Sequence, residues 1–158
     1  MIELLPTNRL AEILPLVAEV QALHAQAMPA HFRAGPGDDA LVAMLHDRVA
    51  AGAEVLVWRG ASGVEGYVLC CVDERAASAI RPGERFGKVD QLCVAPGARR
   101  RGIGSALVEA AKARLLAQGA ARWYVTWWAF NEASARTMAR CGAAPLHQTA
   151  GGTLHASK

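Results

Sequence analysis

The stretch VAPGARRRGIGSALVEA, residues 94–110, constrains the fold of this chain more than any other part of the sequence. It begins where an apolar, strand-like run, KVDQLCV, ends, and it turns at Pro96-Gly97. Three consecutive arginines then lead into Gly102-Ile103-Gly104, and an alanine-rich helical pattern follows at once. The sequence therefore predicts a strand, a tight turn and a helix whose amino-terminal end lies beside the arginines.

That helix entrance has the chemistry of an anion-binding site. The first N–H groups of a helix have no acceptor inside the helix, and the helix dipole is positive there. Glycines at 102 and 104 keep side chains away from the backbone, and Arg99, Arg100 and Arg101 can add paired donors suited to phosphate. The alternative is a solvated arginine run before a helix start that is marked by glycine.

Two other phosphate-binding motifs do not fit this turn. A Walker loop needs Gly-Lys followed by Ser or Thr, and the chain contains no such sequence. The dinucleotide fingerprint needs a glycine three residues after Gly104, where Leu107 stands.

The rest of the chain alternates strand-like and helical patterns. Before the arginine turn we expect a strand at 2–6, a helix over 9–27 that begins or bends at Pro15, a second helix capped by Asp38 or Asp39 and ended by Gly52, a hairpin around GASG at 60–63, and a charged connector at 73–87. After it we expect a helix at about 101–118, a strand at 121–130, a helix from Asn131 to Gly142, and one or two weak strands within 144–156. This order predicts a mixed α/β sheet with helices on its faces rather than a regular doubly wound sheet.

Length and composition restrict the class of protein. We expect 158 residues to form one domain over 1–158, with a core that needs no disulfide or metal. No apolar run could span a bilayer, the first residues do not look like a secretory signal, and a net charge of +3 is too small to indicate nucleic acid as a partner. Four cysteines without C-x-x-C spacing predict no metal site and reduced thiols in a cytoplasmic protein.

Arg99, Gly102 and Gly104 form the pattern Arg-x-x-Gly-x-Gly, which resembles the acyl-CoA-binding motif of the GNAT superfamily of N-acetyltransferases. The segment VDQLCVAPGARRRGIGSALVEAAKARL is similar to that family's unit of strand four, loop and helix three, and NEASARTMARCGA occupies the place of its second motif. The resemblance covers most of the chain. It implies a central, mostly antiparallel sheet with splayed strands four and five and helices on both faces.

The resemblance also implies acetyl-CoA or CoA as co-substrate. Strand-four backbone groups would pair with the pantetheine arm, the N–H groups from about Arg100 to Ala106 would hold the pyrophosphate, and Asn131 would reach the pantetheine or its neighbourhood. The residues expected at the cofactor are Leu92, Cys93, Val94, Arg99, Arg100, Arg101, Gly102, Ile103, Gly104, Ser105, Ala106, Asn131, Ser134 and Met138.

In this family the acyl group passes directly to an amine, so the implied site must polarise a carbonyl and protonate a leaving thiolate. The N–H near Val94 could polarise the carbonyl. The tyrosine that often serves as the acid stands seven residues after the asparagine, but here that position is Met138, and Ala143 replaces the usual aromatic residue after Gly142. Ser134, one helical turn from Asn131, is an alternative acid, or it serves only the backbone.

Asp90, on strand four beside the implied acyl site, is the first choice as base. The alternative is an ion pair with Lys88 or Arg101. Tyr67 is expected on the third strand and Tyr124 on the fifth, where either can simply pack.

The implied acceptor site lies among the first two helices, their loop and the later strands. The residues expected there are His31, Phe32, Asp38, Asp39, Asp90 and Trp128, whereas His24 fits a packed or capping role better. Trp127 and Trp128 are adjacent on an expected strand, so one would face the core and the other would line the cleft or a dimer contact. Nothing in the sequence distinguishes an amino acid, a polyamine, an aminoglycoside or a protein amino terminus.

The sequence thus predicts an acetyl-CoA-dependent N-acetyltransferase that modifies a small amine and forms a homodimer. A CoA-binding module that has lost transfer activity, with a sensing or partner-binding role, is the alternative that Met138 and Ala143 support. A phosphate-binding protein unrelated to CoA would have no use for the strand-four features or for Asn131.

Overall fold

The computed structural model describes residues 1–153. Its strands are β1 (Ile2–Leu4), β2 (Glu54–Gly60), β3 (Gly63–Arg75), β4 (Glu84–Val94) and β5 (Arg122–Val125). Its α-helices are α1 (Leu14–Ala27), α2 (Asp38–Ala50), α3 (Ile103–Ala117) and α4 (Glu132–Arg140), and short 3₁₀ helices span Thr7–Ile13 and Pro96–Ala98. No helix among these residues is both long and apolar enough to cross a bilayer.

The five strands form one sheet in chain order, β1-β2-β3-β4-β5. The first three pairings are antiparallel, and only β4 and β5 are parallel, because α3 carries the chain back across the sheet between them. A mostly antiparallel mixed sheet, as predicted, is confirmed.

Helices cover both faces of the sheet and form two core clusters. The first lies under α1 and α2, and the second lies under α3 and α4. Because strand side chains alternate, Val68 belongs to the second cluster and its neighbour Leu69 to the first. The same alternation puts Cys70 in the second cluster and Cys71 against the first.

The β3–β4 hairpin is longer than predicted, and residues 73–75 and 84–87 of the expected connector are strand. Charges of opposite sign lie directly across this part of the ladder: Glu74 faces Arg85, and Arg75 faces Glu84. Both pairs form ion pairs. Cross-strand pairing of this kind stabilises strands that their composition alone does not favour.

The predicted strand over 121–130 is wrong in length, because β5 ends at Val125 and the two tryptophans follow in a loop. They therefore do not face opposite sides of the sheet. Trp127 packs against the second core cluster, and Trp128 lies against His31 and Phe32. The sequence argument for a dimer contact at a tryptophan-bearing strand is lost with that strand.

Three element ends differ from the sequence predictions. Residues 144–153 form no strand, and two adjacent glycines at 151 and 152 weaken strand formation there; residues 154–156 of that prediction lie outside the described residues. Gly37, not Asp38 or Asp39, is the cap residue of α2. Helix α1 begins at Leu14, so Pro15 lies in its first turn, where the missing N–H costs nothing.

Candidate functional site

Strands β4 and β5 separate after four paired residues. Val89 and Val125 form the last pair, and β4 continues to Val94 with none of the strands within residues 1–153 beside it on that side. We call this point the fork. It confirms the splayed strands four and five, and it leaves one edge of β4 open to an extended ligand.

The open edge presents the backbone groups of alternate residues. Ala95 N–H donates to the Glu65 carbonyl at 2.8 Å, which fixes the residues of β4 that bond to β3. By alternation, Cys93 faces β3, whereas the N–H groups of Leu92 and Val94 point towards the open side. These two residues have the backbone orientation that pairing with a pantetheine arm requires.

Cys93 does not take part in this edge, contrary to the sequence prediction. Its side chain is 7% exposed in the first core cluster, and its backbone pairs with Tyr67 on β3. Burial raises the pKa of its thiol to about 12, so it is neutral at physiological pH. No group of three or more His, Cys, Asp or Glu side chains within residues 1–153 is arranged to hold a metal ion.

The arginine turn presents a run of free backbone donors. From Arg100 to Ser105, no N–H group has an acceptor within residues 1–153. Positive φ angles of 66° at Arg100 and 79° at Gly102 produce this turn, and Gly102 is the cap residue of α3. The Ala106 N–H, predicted to be a donor, already donates to the Gly102 carbonyl at 3.0 Å. Free donors at a helix amino terminus suit a phosphate.

The three arginines of this turn differ in their contacts. Arg99 donates to the Val94 carbonyl at 3.0 Å and forms an ion pair with Glu19 of α1. Arg101 pairs with Glu65 at 3.3 Å. Arg100 forms no ion pair or side-chain hydrogen bond with any residue from 1 to 153, so its guanidinium is available to a ligand.

Gly104 and Ile103 contribute to the turn in different ways. A Cβ on Gly104 would lie 3.6 Å from Thr137 of α4, 3.7 Å from Val94 and 3.8 Å from Leu92. The glycine therefore faces the space between β4 and α4, beside the open edge. Ile103 is buried in the second core cluster, so only its backbone can contact a ligand.

Helix α4 leaves polar groups of two predicted residues without a partner among the described residues and buries a third predicted residue. Asn131 caps the helix, since its Oδ1 accepts from the Ser134 N–H at 3.0 Å, and this confirms the predicted helix start. The Asn131 amide nitrogen and the Ser134 hydroxyl have no partner among the described residues. Met138, predicted to contact the cofactor, is 2% exposed in the second core cluster and has almost no surface for a ligand.

Both tyrosine hydroxyls are already engaged. Tyr67 is fully buried, donates to Gln91 Oε1 at 2.9 Å, and has its pKa raised strongly by burial. Tyr124 donates to Glu84 Oε1 at 2.8 Å. Sequence reasoning missed Gln91, because β4 carries several other polar residues and nothing local distinguishes this one.

Asp90 lies directly after the fork, in a β-bulge. Leu69 pairs with Gln91 and Cys70 with Val89, so Asp90 is the extra residue, and such bulges re-aim side chains. Its carboxylate contacts Arg48 of α2 and lies 3.0 Å from Lys88 Nζ. The predicted pairing with Lys88 is confirmed and that with Arg101 is wrong. The sequence carried no signal for Arg48, because the contact depends on how α2 packs.

Five rings from the α1–α2 region and the β5–α4 loop form an aromatic cluster. Phe32 stacks on His24 with ring centres 4.9 Å apart and meets Trp128 edge-on at 5.3 Å. His31 lies 5.5 Å from Trp128, and Phe130 lies 5.8 Å from His24. The structure thus brings His31, Phe32 and Trp128 together, as the acceptor-site prediction required. An open concavity of about 620 Å³ beside them is lined by Ala25, Pro29, Ala30, His31, Phe32, Arg33 and Ala34.

The family model described as the acetyltransferase (GNAT) family matches residues 16–143, which include the fork, the arginine turn and α4. The chain belongs to the GNAT acetyltransferase family. Members of that family generally use acetyl-CoA as co-substrate. The residues of this GNAT protein fit such a group: an open strand edge, free N–H donors and one free arginine follow one another along β4 and the turn.

Solved structures similar to this GNAT protein extend over nearly its whole length. A tetramutant of the BH1408 protein of Bacillus halodurans is 19% identical, with a TM-score of 0.85 over 98% of this chain and 99% of that one. An aminoglycoside 6′-N-acetyltransferase of Acinetobacter haemolyticus is 12% identical, with a TM-score of 0.74 over 99% of both chains.

A ribosomal-protein-alanine N-acetyltransferase of Brucella melitensis is 23% identical, with a TM-score of 0.71 over 98% of this chain and 99% of that one. At these identities the likeness concerns the fold alone. No curated protein sequence matches the GNAT chain.

Proposed function

We propose that this protein is an acetyl-CoA-dependent N-acetyltransferase that acetylates a primary amine of a small molecule. The observation that carries the proposal is the continuity of the open β4 edge with the free N–H donors of the arginine turn. A ligand with an extended arm and a pyrophosphate needs both features in this order. A simple phosphate ligand needs only the turn.

The chain's own residues divide the binding of acetyl-CoA between them. Leu92 and Val94 would pair with the pantetheine arm, the N–H groups of Arg100 to Ser105 would hold the pyrophosphate, and the Arg100 guanidinium would add a charged contact. The free amide nitrogen of Asn131 would donate towards the arm. Acetyl-CoA supplies an acetyl group activated as a thioester, for direct transfer to the amine.

Two groups serve the chemistry in this proposal. The Leu92 N–H, the outward-facing donor of β4 nearer the fork, polarises the acetyl carbonyl in place of the predicted Val94 N–H, which lies beside the arginine turn and pairs with the pantetheine arm. The Ser134 hydroxyl donates a proton to the leaving thiolate, in place of the absent tyrosine. The proton that the amine loses balances the proton that the thiolate gains.

Asp90 has a revised role in this mechanism. A carboxylate that already contacts Arg48 and Lys88 is a poor proton acceptor, because both cations stabilise its ionised form. We therefore assign it the positioning of these cations beside the acceptor amine, with water taking the amine's proton.

His31, Phe32 and Trp128 line the acceptor cleft. The four unpaired cysteines support a cytoplasmic location.

Calorimetric titration with acetyl-CoA and then CoA, with ADP as the control, tests the cofactor. We expect micromolar binding of acetyl-CoA and much weaker binding of ADP, because ADP lacks the arm that pairs with β4. Equal binding of the two would remove the open edge from the site, and absence of acetyl-CoA binding would refute the proposal.

Asp90→Asn tests the catalytic half of the site. We expect acetyl transfer to fall about tenfold or more, since the two cations lose their counter-charge, while the dissociation constant of acetyl-CoA stays within about twofold. Thiol release measured from pH 6 to 9 separates the two roles. A fall in activity towards pH 6 that the unmodified protein shows and the variant lacks would return Asp90 to the role of base.

A CoA-binding module without transfer activity is the second candidate, and the burial of Met138 at the usual acid position favours it. Both candidates predict acetyl-CoA binding. Only the enzyme predicts thiol release on addition of an amine.

A further inference from the structure

We infer that the acceptor is an α-amino acid with a free carboxylate and an apolar side chain, held by Arg48 and Lys88 at the fork and by the aromatic cluster beside it. This inference rests on the proposed function, since it names the class of amine that the same site would take.

The two cations lie where the acceptor amine must arrive. Asp90 is the first β4 residue after the last β4–β5 pair, and Arg48 and Lys88 both contact its carboxylate. The acetyl group of a ligand paired along the open edge would lie at the same fork. An amine attacking there therefore meets these three charges first.

These three side chains carry a net charge of +1, and the positive charges are the exposed ones. The Arg48 and Lys88 side chains are 44% and 38% exposed, whereas that of Asp90 is 11% exposed. Arginine has five N–H donors and lysine three, so each retains donors after its contact with Asp90. The cluster can accept an anionic group and offers a cation no free carboxylate.

Other acids near this face are in use or lie farther away. Glu84 is held by Arg75, Arg122 and the Tyr124 hydroxyl. Asp38 and Asp39 begin α2, about 14 Å along the helix from Arg48 at 1.5 Å per residue. Asp47 is adjacent to Arg48 in the helix, and such neighbours do not face each other. A polycationic acceptor therefore finds no unpaired carboxylate beside Asp90 among the described residues.

The spacing of the groups favours an α-amino acid over other anionic amines. In an α-amino acid the nitrogen and the carboxylate are separated by a single carbon, so the binding cation must lie at the reaction point itself. Arg48 and Lys88 meet this condition because both touch the residue next to the fork. The β5–α4 loop begins after Val125 at the same fork and carries Trp128 to His31 and Phe32, where an apolar side chain can pack.

Matched acceptor pairs provide the test. Thiol release from acetyl-CoA would be measured with the full chain and L-phenylalanine, L-methionine, their two carboxamides and spermidine. We expect kcat/KM for each acid to exceed that for its amide by about tenfold or more, the value of one charge-assisted contact. The amines of the amides lose their protons more easily than those of the acids. This difference favours transfer to the amides and therefore works against the expected preference for the acids.

Arg48→Gln should abolish most of this preference, by lowering kcat/KM for the acids about tenfold more than that for the amides. Lys88→Gln is a second variant with the same expectation, and Arg81→Gln, in the β3–β4 loop, is the control with equal loss of charge. Acetyl-CoA affinity should be unchanged in all three.

Transfer to spermidine or to the amides at or above the rate for the acids would overturn the inference and leave the proposed function standing. A preference for the acids that survives both Arg48→Gln and Lys88→Gln would also overturn it. Absence of transfer to every amine, with acetyl-CoA still bound, would refute the enzyme itself.

Discussion

Arg100 differs from its two neighbours in what its guanidinium can contact. Arg99 and Arg101 are each paired with a carboxylate from another element, Glu19 of α1 or Glu65 of β3, so they fix the turn to the rest of the fold. The sequence showed three equal arginines, because the partners lie 80 and 36 residues away along the chain. Free backbone donors at the turn could be predicted, since they follow from a local glycine pattern.

We expect Arg100→Ala to weaken acetyl-CoA binding about fivefold to tenfold without changing the free energy of unfolding, because an exposed charged contact to phosphate is lost and no internal contact is. Arg99→Ala is the matched variant and should lower the urea midpoint, since Glu19 and the Val94 carbonyl lose a partner. Calorimetry and urea unfolding measure the two effects. The reverse pattern would contradict this division of roles.

Gly102 is required by its backbone angle and not by its surroundings. Its φ is +79°, and no atom lies within 4 Å of the position that a Cβ would take. Gly102→Ala should therefore lower the free energy of unfolding by about 1–2 kcal/mol through strain alone. Gly97→Ala, one turn earlier, has the same open space without a positive φ and should be neutral in the same urea titration. Equal effects of the two substitutions would refute the explanation.

At the scale of elements, β4 and α3 approach each other closely because β4 carries a glycine beneath the helix. A Cβ on Gly87 would lie 2.6 Å from Leu115 Cδ1 and 3.0 Å from its Cβ and Cγ. Gly87 also pairs with Trp123, so this contact holds the helix over the paired part of β4 and β5, before the fork.

Gly87→Ala should lower the free energy of unfolding by about 1–3 kcal/mol through overpacking. Leu115→Ala alone should lower it by about 2–5 kcal/mol through a cavity. The double variant should lose less than the sum, because the new methyl group partly fills the cavity. Thermal or urea unfolding of the four proteins measures the coupling. Simple additivity would show that the two positions do not compete for space.

Helices and strands could be predicted where a local sequence signal determines them. They could not be predicted where pairing between strands determines them. Helix α3 follows from apolar residues every four positions, and Asn131 as a cap defines the start of α4. The length of the β3–β4 hairpin depends on charges meeting across strands, and β5 stops where β4 diverges from it. Neither property can be read from a strand's own residues, so both were mispredicted.

At the scale of the molecule, the buried thiols of Cys70, Cys93 and Cys141 make stability depend on alkaline pH, because burial raises the pKa of each. Burial raises the pKa of Cys70 and of Cys93 to about 12 from an ordinary value near 9. Between those values the unfolded chain releases these protons and the folded protein retains them. Their contribution to stability is therefore complete below about pH 9 and is lost as the pH rises towards 12.

We expect the urea midpoint to fall between pH 8 and pH 10.5 and to fall less in Cys93→Ala, which removes one of these thiols. The difference between the two proteins in the slope of urea midpoint against pH gives the contribution of the Cys93 thiol. Lysines and other groups that titrate in the same range are common to both proteins. Identical slopes would mean that Cys93 ionises as easily in the folded protein as in the unfolded chain.

The bulge at Asp90 also divides β4 into two phases. Val89 and Cys93 are four positions apart and would share a face in a regular strand, yet Val89 packs under α3 and Cys93 under α1 and α2. The side chains of β4 beyond the fork thus face the opposite core from the one that regular alternation from Val89 would give them. Deletion of Asp90 would make β4 a regular strand and leave Leu92 and Val94 in the core that they now enter, because the bulge already absorbs the extra residue. Apolar packing therefore does not require this residue, and what its deletion removes is the carboxylate between Arg48 and Lys88.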